Sequence, residues 1–218
     1  MPLNTKTIVL GPFAAASANN IATSQSGSSL TINGSAATGG VATLDVPRRV
    51  GVASGGNDTG ITFKITGTDR YGRAQVETLT GASAATAQTV HDFLTVSAVK
   101  PSGAVATYAT VGTTGTISSD AYIVDWVPNG NLIGCNAIVT STVTYTIEEC
   151  YDDFSPAWDQ ANNTFNWVSD ATIKSTSASA HGQLAGPFTA IRATVNSYSG
   201  ATASVTVKFI TPFIGGAI

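Results

Sequence analysis

Two histidines, two cysteines and one dense run of carboxylates are the groups in this chain that could make or break bonds. The carboxylates, Glu148, Glu149, Asp152, Asp153 and Asp159, fall in IEECYDDFSPAWD. Gathered carboxylates can hold a hard cation, and a facing pair can cleave a glycosidic bond. The run lacks a D-x-D-x-D-G ligand ladder, and neighbours on a strand point to opposite faces, so spacing alone does not make the pairs converge. It reads as a solvated or partner-facing loop. Trp126, Trp158 and Trp167, with Tyr151 and Phe154, could line a sugar site beside it. The stronger reading makes them the aromatic core of a β unit.

His91 and His181 stand in TVHDFL and SAHGQL, with no second His or Cys at ligand spacing, so a zinc site is not expected. His91, Asp92 and one of many serines can be drawn as a triad, but no Gly-x-Ser-x-Gly elbow accompanies them. The reading is a strand-end histidine. SGGNDTG and AATGGVA lack the Lys-Ser/Thr ending and following helix of a phosphate loop. Cys135 and Cys150 flank NAIVTSTVTYTIEE; a hairpin there would bring them together, and otherwise they are buried thiols, the preferred reading. No catalytic residue, metal or cofactor is expected. Arg48 and Arg49 in LDVPRRVGV offer either forked hydrogen bonds to a partner's carboxylates or plain strand-end charges.

The elements that must position these groups are strands. TIVLGPF, SLTIN, ITFKIT, QVETLT, YIVDWV, NAIVTSTVTYTIEE, FTAIRATV and ASVTVKFI alternate or cluster β-branched and aromatic residues between Gly, Asn, Ser and Pro. The expected fold is all-β, sandwich or jelly-roll-like, in one or two antiparallel units. Ala-rich GASAATAQTV, residues 81–90, could add one helical turn. The divisions expected are an N-terminal arm with edge strands over 1–45, a first β unit over 46–118 and a second over 119–218. Ala14 to Gly40 reads as an extended arm or loose edge.

The hairpin ITFKITGTDRYGRAQVETLTG allows a register to be written. A four-residue loop, Asp69 to Gly72, sets Ile65 against Val76, Lys64 against Glu77 and Phe63 against Thr78, with Ile61, Phe63 and Ile65 inward and a Lys64–Glu77 ion pair outside.

Composition narrows the partners. The chain has 218 residues, and only 11% are charged, against about 25% in ordinary soluble domains. Its net charge is −3 and its mean hydropathy +0.17, so no basic field draws it to phosphates or an anionic membrane. Direct nucleic-acid binding and membrane association are not expected. A neutral, hydroxyl-rich surface suits packing against neighbours. No charged n-region with a long apolar core begins the chain, so synthesis and folding in the cytoplasm are expected.

RRVGVASGGNDTGITFKITGTDRYGRAQVETLTG, the pair of strands ending near TYATVGTTG, then TVTYTIEECYDDFSPAWDQ, FNWVSD and PFTAIRATVNSYSGATASVTVKFI resemble structural proteins of tailed-bacteriophage particles. Together they cover most of residues 48–210. The resemblance implies a β-rich, non-enzymatic virion component, either a capsid cement or decoration protein or a tail part, and transfers no functional residue. The expected partners are the major capsid protein and further copies of the chain, with a trimer as one expected state, and the expected location is the capsid surface. Met1–Asn20 and Phe209–Ile218 are the expected contact segments. Ile8, Leu10, Phe13, Phe209, Ile210, Phe213 and Ile214, with Arg48 and Arg49, are the candidate interface residues.

Overall fold

The structure is a computed structural model and describes residues 4–124, 132–152 and 165–211. Among them there is no helix, and the all-β class expected of the sequence, in keeping with a sandwich, is what the chain adopts. The strands are β1 (Asn4–Leu10), β2 (Ala22–Gly27), β3 (Ala37–Thr38), β4 (Val41–Ser54), β5 (Thr62–Thr68), β6 (Ala74–Thr80) and β7 (Thr86–Pro101). They continue with β8 (Val105–Thr113), β9 (Ile117–Ser118), β10 (Tyr122–Ile123), β11 (Leu132–Cys150), β12 (Trp167–Ser169), β13 (Ala180–Ala185) and β14 (Ala190–Thr211).

The chain divides into two compact units, and one interrupts the other. Residues 14–117 form an inserted unit; residues 1–13 and 118–218 form a split unit. The second crossing falls in the small-residue stretch VGTTGTISS, close to the division expected at 118/119. The first falls at 13/14, where 45/46 was expected: Asn4–Leu10, within the segment read as an arm with edge strands, zips antiparallel onto β14 at the edge of its sheet, from Asn4↔Thr211 to Leu10↔Val205.

In the inserted unit the strand order is β2-β8-β4-β7-β5-β6, with β3 on β4. Alternation along β5 sends Phe63 and Ile65 inward, where they join Ile21, Leu44, Val50, Val52, Phe93 and Val96, and Ile61 packs against this core half-buried. Pro47 brings no N–H to the ladder, and β4 shifts its register against β7 between Thr43 and Arg48. Residues 81–90 hold no helical turn: Ala84 takes φ +48° and β7 begins at Thr86. Alanine's helix propensity is small and yields to the β-branched Thr86, Thr89 and Val90 that follow.

The hairpin register differs from expectation by one residue. Phe63 faces Leu79, Lys64 faces Thr78, Ile65 faces Glu77 and Thr68 faces Ala74. The loop is the three residues Arg70–Gly72, closed by Asp69 N–H to the Arg73 carbonyl at 2.9 Å, with Gly72 at φ +76°. That is a tight turn followed by a left-handed glycine, which inserts one extra residue on one strand. The Asp69 carboxylate fixes it, accepting the Tyr71 and Arg73 amides at 2.8 and 2.9 Å and Arg73 Nε at 2.8 Å.

In the split unit the order is β1-β14-β11-β12, with β9 and β10 on β14 and β13 on β11. β11 and β14 pair along almost their whole length, from Gly134↔Ile210 to Cys150↔Ala190. The run between the cysteines is therefore one strand and not a hairpin. At about 3.3 Å per residue, Cys135 and Cys150 lie tens of ångströms apart, and both are free and buried.

Candidate assembly surface

The residues proposed for an interface are mostly spent on the fold. Ile8, Leu10 and Phe13 are buried in the split unit: Ile8 faces Val207, Leu10 faces Val205, and the Phe13 ring lies 4.7 Å from that of Tyr198. Phe209 is fully buried, stacked 6.2 Å from Tyr122. Phe213 and Ile214 lie outside the described residues. Arg48 is no exposed strand-end charge either. It is 1% exposed, and its Nη2 donates to Asp45 Oδ2 at 2.6 Å while Nη1 donates to the Ala14 carbonyl at 3.2 Å. Arg49 is half-buried beside the Thr89 carbonyl and Asp92. Ile210 keeps a partly open face.

The registers show what lies around Ile210. Directly opposed residues on antiparallel strands share a face, so Val9, Thr206 and Ile138 form one row across β1, β14 and β11. Thr7, Lys208, Asn136 and His181 form the next, and Thr5, Ile210, Gly134 and Gln183 the third. Val9 is 61% exposed and Ile138 49%. The face is thus hydroxyl-rich, carries Lys208 as its one full charge in these rows, and holds apolar side chains at Val9, Ile138 and Ile210. Sequence reasoning picked the inward members of β1, Ile8 and Leu10, where the outward Val9 is the exposed one. Parity was the available signal: in TIVL, a continuous apolar run, one of every two residues must face away from the core.

The groups able to do chemistry are engaged structurally. Glu77, expected opposite Lys64, turns the other way and bridges β6 to β7, accepting the Val90 amide at 2.6 Å, the His91 amide at 3.0 Å and His91 Nδ1 at 3.0 Å. Burial would raise its carboxyl, but the His91 ring and the two amides outweigh that and hold it below the ordinary value. Asp92 lies under the arginines, 3.8 Å from Arg49 Nε and 3.7 Å from Arg70 Nη2. These contacts form a network of ion pairs.

Glu148 and Glu149 of the acidic run lie in strand β11 and not in the solvated loop expected, with their side chains on opposite faces as alternation dictates. Glu148 bonds Arg192 Nε and Thr194 Oγ1, each at 2.7 Å, whereas Glu149 points away and accepts the Tyr151 hydroxyl at 2.9 Å. Burial pushes Glu149 up, against the Tyr151 bond and with help from Asp170. Asp153 and Asp159, like Trp126, Phe154 and Trp158, lie outside the described residues. Trp167 is half-buried, with the Arg192 guanidinium 4.2 Å over its ring. Among the described residues no group of three or more His, Cys, Asp or Glu side chains could hold a metal ion. Burial, with Asp170 nearby, pushes the Cys135 thiol up to about 12. Burial also raises Cys150, so neither sulfur sits where a thiolate forms readily.

Comparison with known proteins finds no matching family model, no matching curated protein and no matching solved structure.

Proposed function

We propose that the chain is a non-enzymatic structural component of a tailed-bacteriophage particle, a capsid decoration protein that binds across major capsid subunits and works alongside further copies of itself. The observation that carries this reading is the strip Val9–Thr206–Ile138 with Ile210 two rows away, which sets exposed apolar side chains in rows whose one full charge is Lys208. Contact releases the water held against these apolar side chains, and packing a β face against a neighbour gains area without ordering loops. The reading is further supported by the resemblance of residues 48–210 to virion proteins and by the low charge of the whole chain. A stable contact needs more than ~1,000 Å² in total, so the strip is the centre of a larger footprint.

Undecorated capsids of the virus that encodes the chain, mixed with purified protein and sedimented, give the test. The wild-type protein pellets with the capsids, and Val9→Lys with Ile138→Lys leaves it in the supernatant while its thermal unfolding stays unchanged, since both side chains face solvent. Electron cryomicroscopy of the particle then fixes the place: hundreds of copies mean the head, and a dozen or fewer mean a tail or neck ring, the alternative location. No association with capsids and no density in the particle would refute both.

A further inference from the structure

The stretch SGGND, residues 54–58, leaves the end of β4 in the inserted unit and is held on both sides. Ser54 and Asp58 donate their amides to the Ala85 and Ala82 carbonyls at 3.0 Å each, and the Gly56 carbonyl accepts the Ala84 amide at 2.8 Å. On the other side the Gly55 amide donates to the Tyr108 carbonyl at 2.8 Å, and the Ala106 amide donates to Asp58 Oδ1 at 2.7 Å. Two glycines allow this closeness: a β-carbon on Gly55 would run into the Tyr108 ring, and one on Gly56 into the Thr107 hydroxyl. Asp58 is thereby sealed, at 0% exposure. Ala106 satisfies its Oδ1, but no donor among the described residues reaches its Oδ2. Ser54, four residues back and also buried, has a hydroxyl in the same condition. The other sealed carboxylates differ: Asp69 meets Arg73 and two amides, and Asp170 accepts the Thr172 and Ile173 amides.

We propose that Asp58 Oδ2 and Ser54 Oγ are ligands of an alkali-metal cation, sodium or potassium, which locks residues 54–58 between residues 82–85 and the start of β8. A carboxylate taken out of water without a counter-charge is costly, and a buried oxygen with no donor calls for an ion or a water. Charge selects the ion. One carboxylate balances one positive charge, whereas a divalent ion would leave an excess inside the fold. Hard divalent ions draw on several carboxylates, and no group of three or more Asp, Glu, His or Cys side chains is placed to hold a metal among the described residues. The other oxygens at hand are neutral, as a monovalent ion tolerates: the Ser54 hydroxyl, and the Ala82 and Ala85 carbonyls, each with a second lone pair beyond the amide it accepts. Protonation of Asp58 would also remove the charge, and the two cases differ in their response to the identity of the salt.

Hydrogen exchange on the full chain, in sodium, potassium and N-methylglucamine chlorides at equal ionic strength and pH, tests this. The Ala84 and Ala106 amides exchange about tenfold more slowly in sodium or potassium chloride than in N-methylglucamine chloride, as for a site exposed to roughly ten times its Kd of cation. The Val207 amide of the split unit keeps one rate in all three. Asp58→Asn removes the charge with little change of volume and abolishes the difference between the salts. Should that variant not fold, Ser54→Ala keeps the carboxylate and loses one ligand, so more salt is needed for half of the protection. The proposal is overturned by equal Ala106 rates in the three salts, the outcome of a protonated or merely hydrated carboxylate. It is overturned as well by the same slowing at Val207, by a difference between salts that survives in Asp58→Asn, or by an unchanged half-protection concentration in Ser54→Ala.

Discussion

Arg48 and Asp45 form an ion pair with unequal partners, and the inequality predicts which loss hurts more. Arg48 is 1% exposed, whereas Asp45 is 34% exposed. Arg48→Met keeps the length and most of the volume of the side chain, so little cavity forms. It forfeits the guanidinium's hydrogen bonds to Asp45 and to the Ala14 carbonyl, each worth ~1.5–3 kcal/mol when buried, but both acceptors belong to exposed residues that can rehydrate, which brings the loss down to about 1–2 kcal/mol. Asp45→Asn does the reverse. It leaves the guanidinium inside without its carboxylate, and a buried charge deprived of its partner costs ~3–5 kcal/mol. Removing the exposed partner therefore destabilises more than removing the buried one. Urea titrations read by amide exchange in peptides covering β5 and β7, the core of the inserted unit, give both values on one scale. If Asp45→Asn proves the milder change, Asp45 is not what neutralises Arg48, and the reasoning about this pair is refuted.

Other outcomes follow from the remaining buried groups. Cys135 and Cys150 stay unreactive toward an aromatic disulfide reagent at pH 8 in the native protein, and both titrate in strong denaturant, because burial holds the thiols protonated. Glu77 is lowered in the fold, so its contribution is fully present above its unfolded value near 4.5 and is lost as the pH falls through the folded one. Glu77→Gln should cost about 1 kcal/mol at pH 7, and the difference from wild type should shrink as the pH falls below 4.5 in thermal melts. Glu149 is raised, so its ionisation weighs against the fold as the pH rises through the folded value. Glu149→Gln should keep the Tyr151 bond and match or exceed wild-type stability at pH 7, with any gain gone near pH 4.

The all-β class was legible because Val, Ile, Thr and aromatics alternate between turn residues along most of the chain. Registers were less so. In TDRYGR the choice between a three- and a four-residue loop rests on whether Gly72 goes left-handed and whether Asp69 caps the turn with its side chain. Both are decided by local hydrogen bonds that alternation does not encode, and one residue of slip moved Glu77 from Lys64 to His91. Segment 4–10 could be read as a strand, in TIVLGPF, but its neighbour in the sheet could not. Its partner is β14, nearly the whole chain away, and no local pattern announces a long-range pairing. Arg48 could be read only as a surface residue, since arginine is rarely buried, and its carboxylate sits three positions back across Pro47. For the outer face of β1, β14 and β11, each strand's polar half was visible in sequence, but which halves lie side by side is known only from the ladder.

The pairing of β1 with β14 also sets an order of events during synthesis. β1 leaves the ribosome before the strand that it must join, and the whole of residues 14–117 is made between them. At ~5–20 residues per second, this edge strand waits on the order of tens of seconds without its neighbour. The inserted unit, contiguous in sequence, can complete its sheet in that interval. The chain is thus expected to fold from the middle outward, and the closure of β1 onto β14 is the step at which a nascent copy first becomes able to present Val9, Thr206 and Ile138 together.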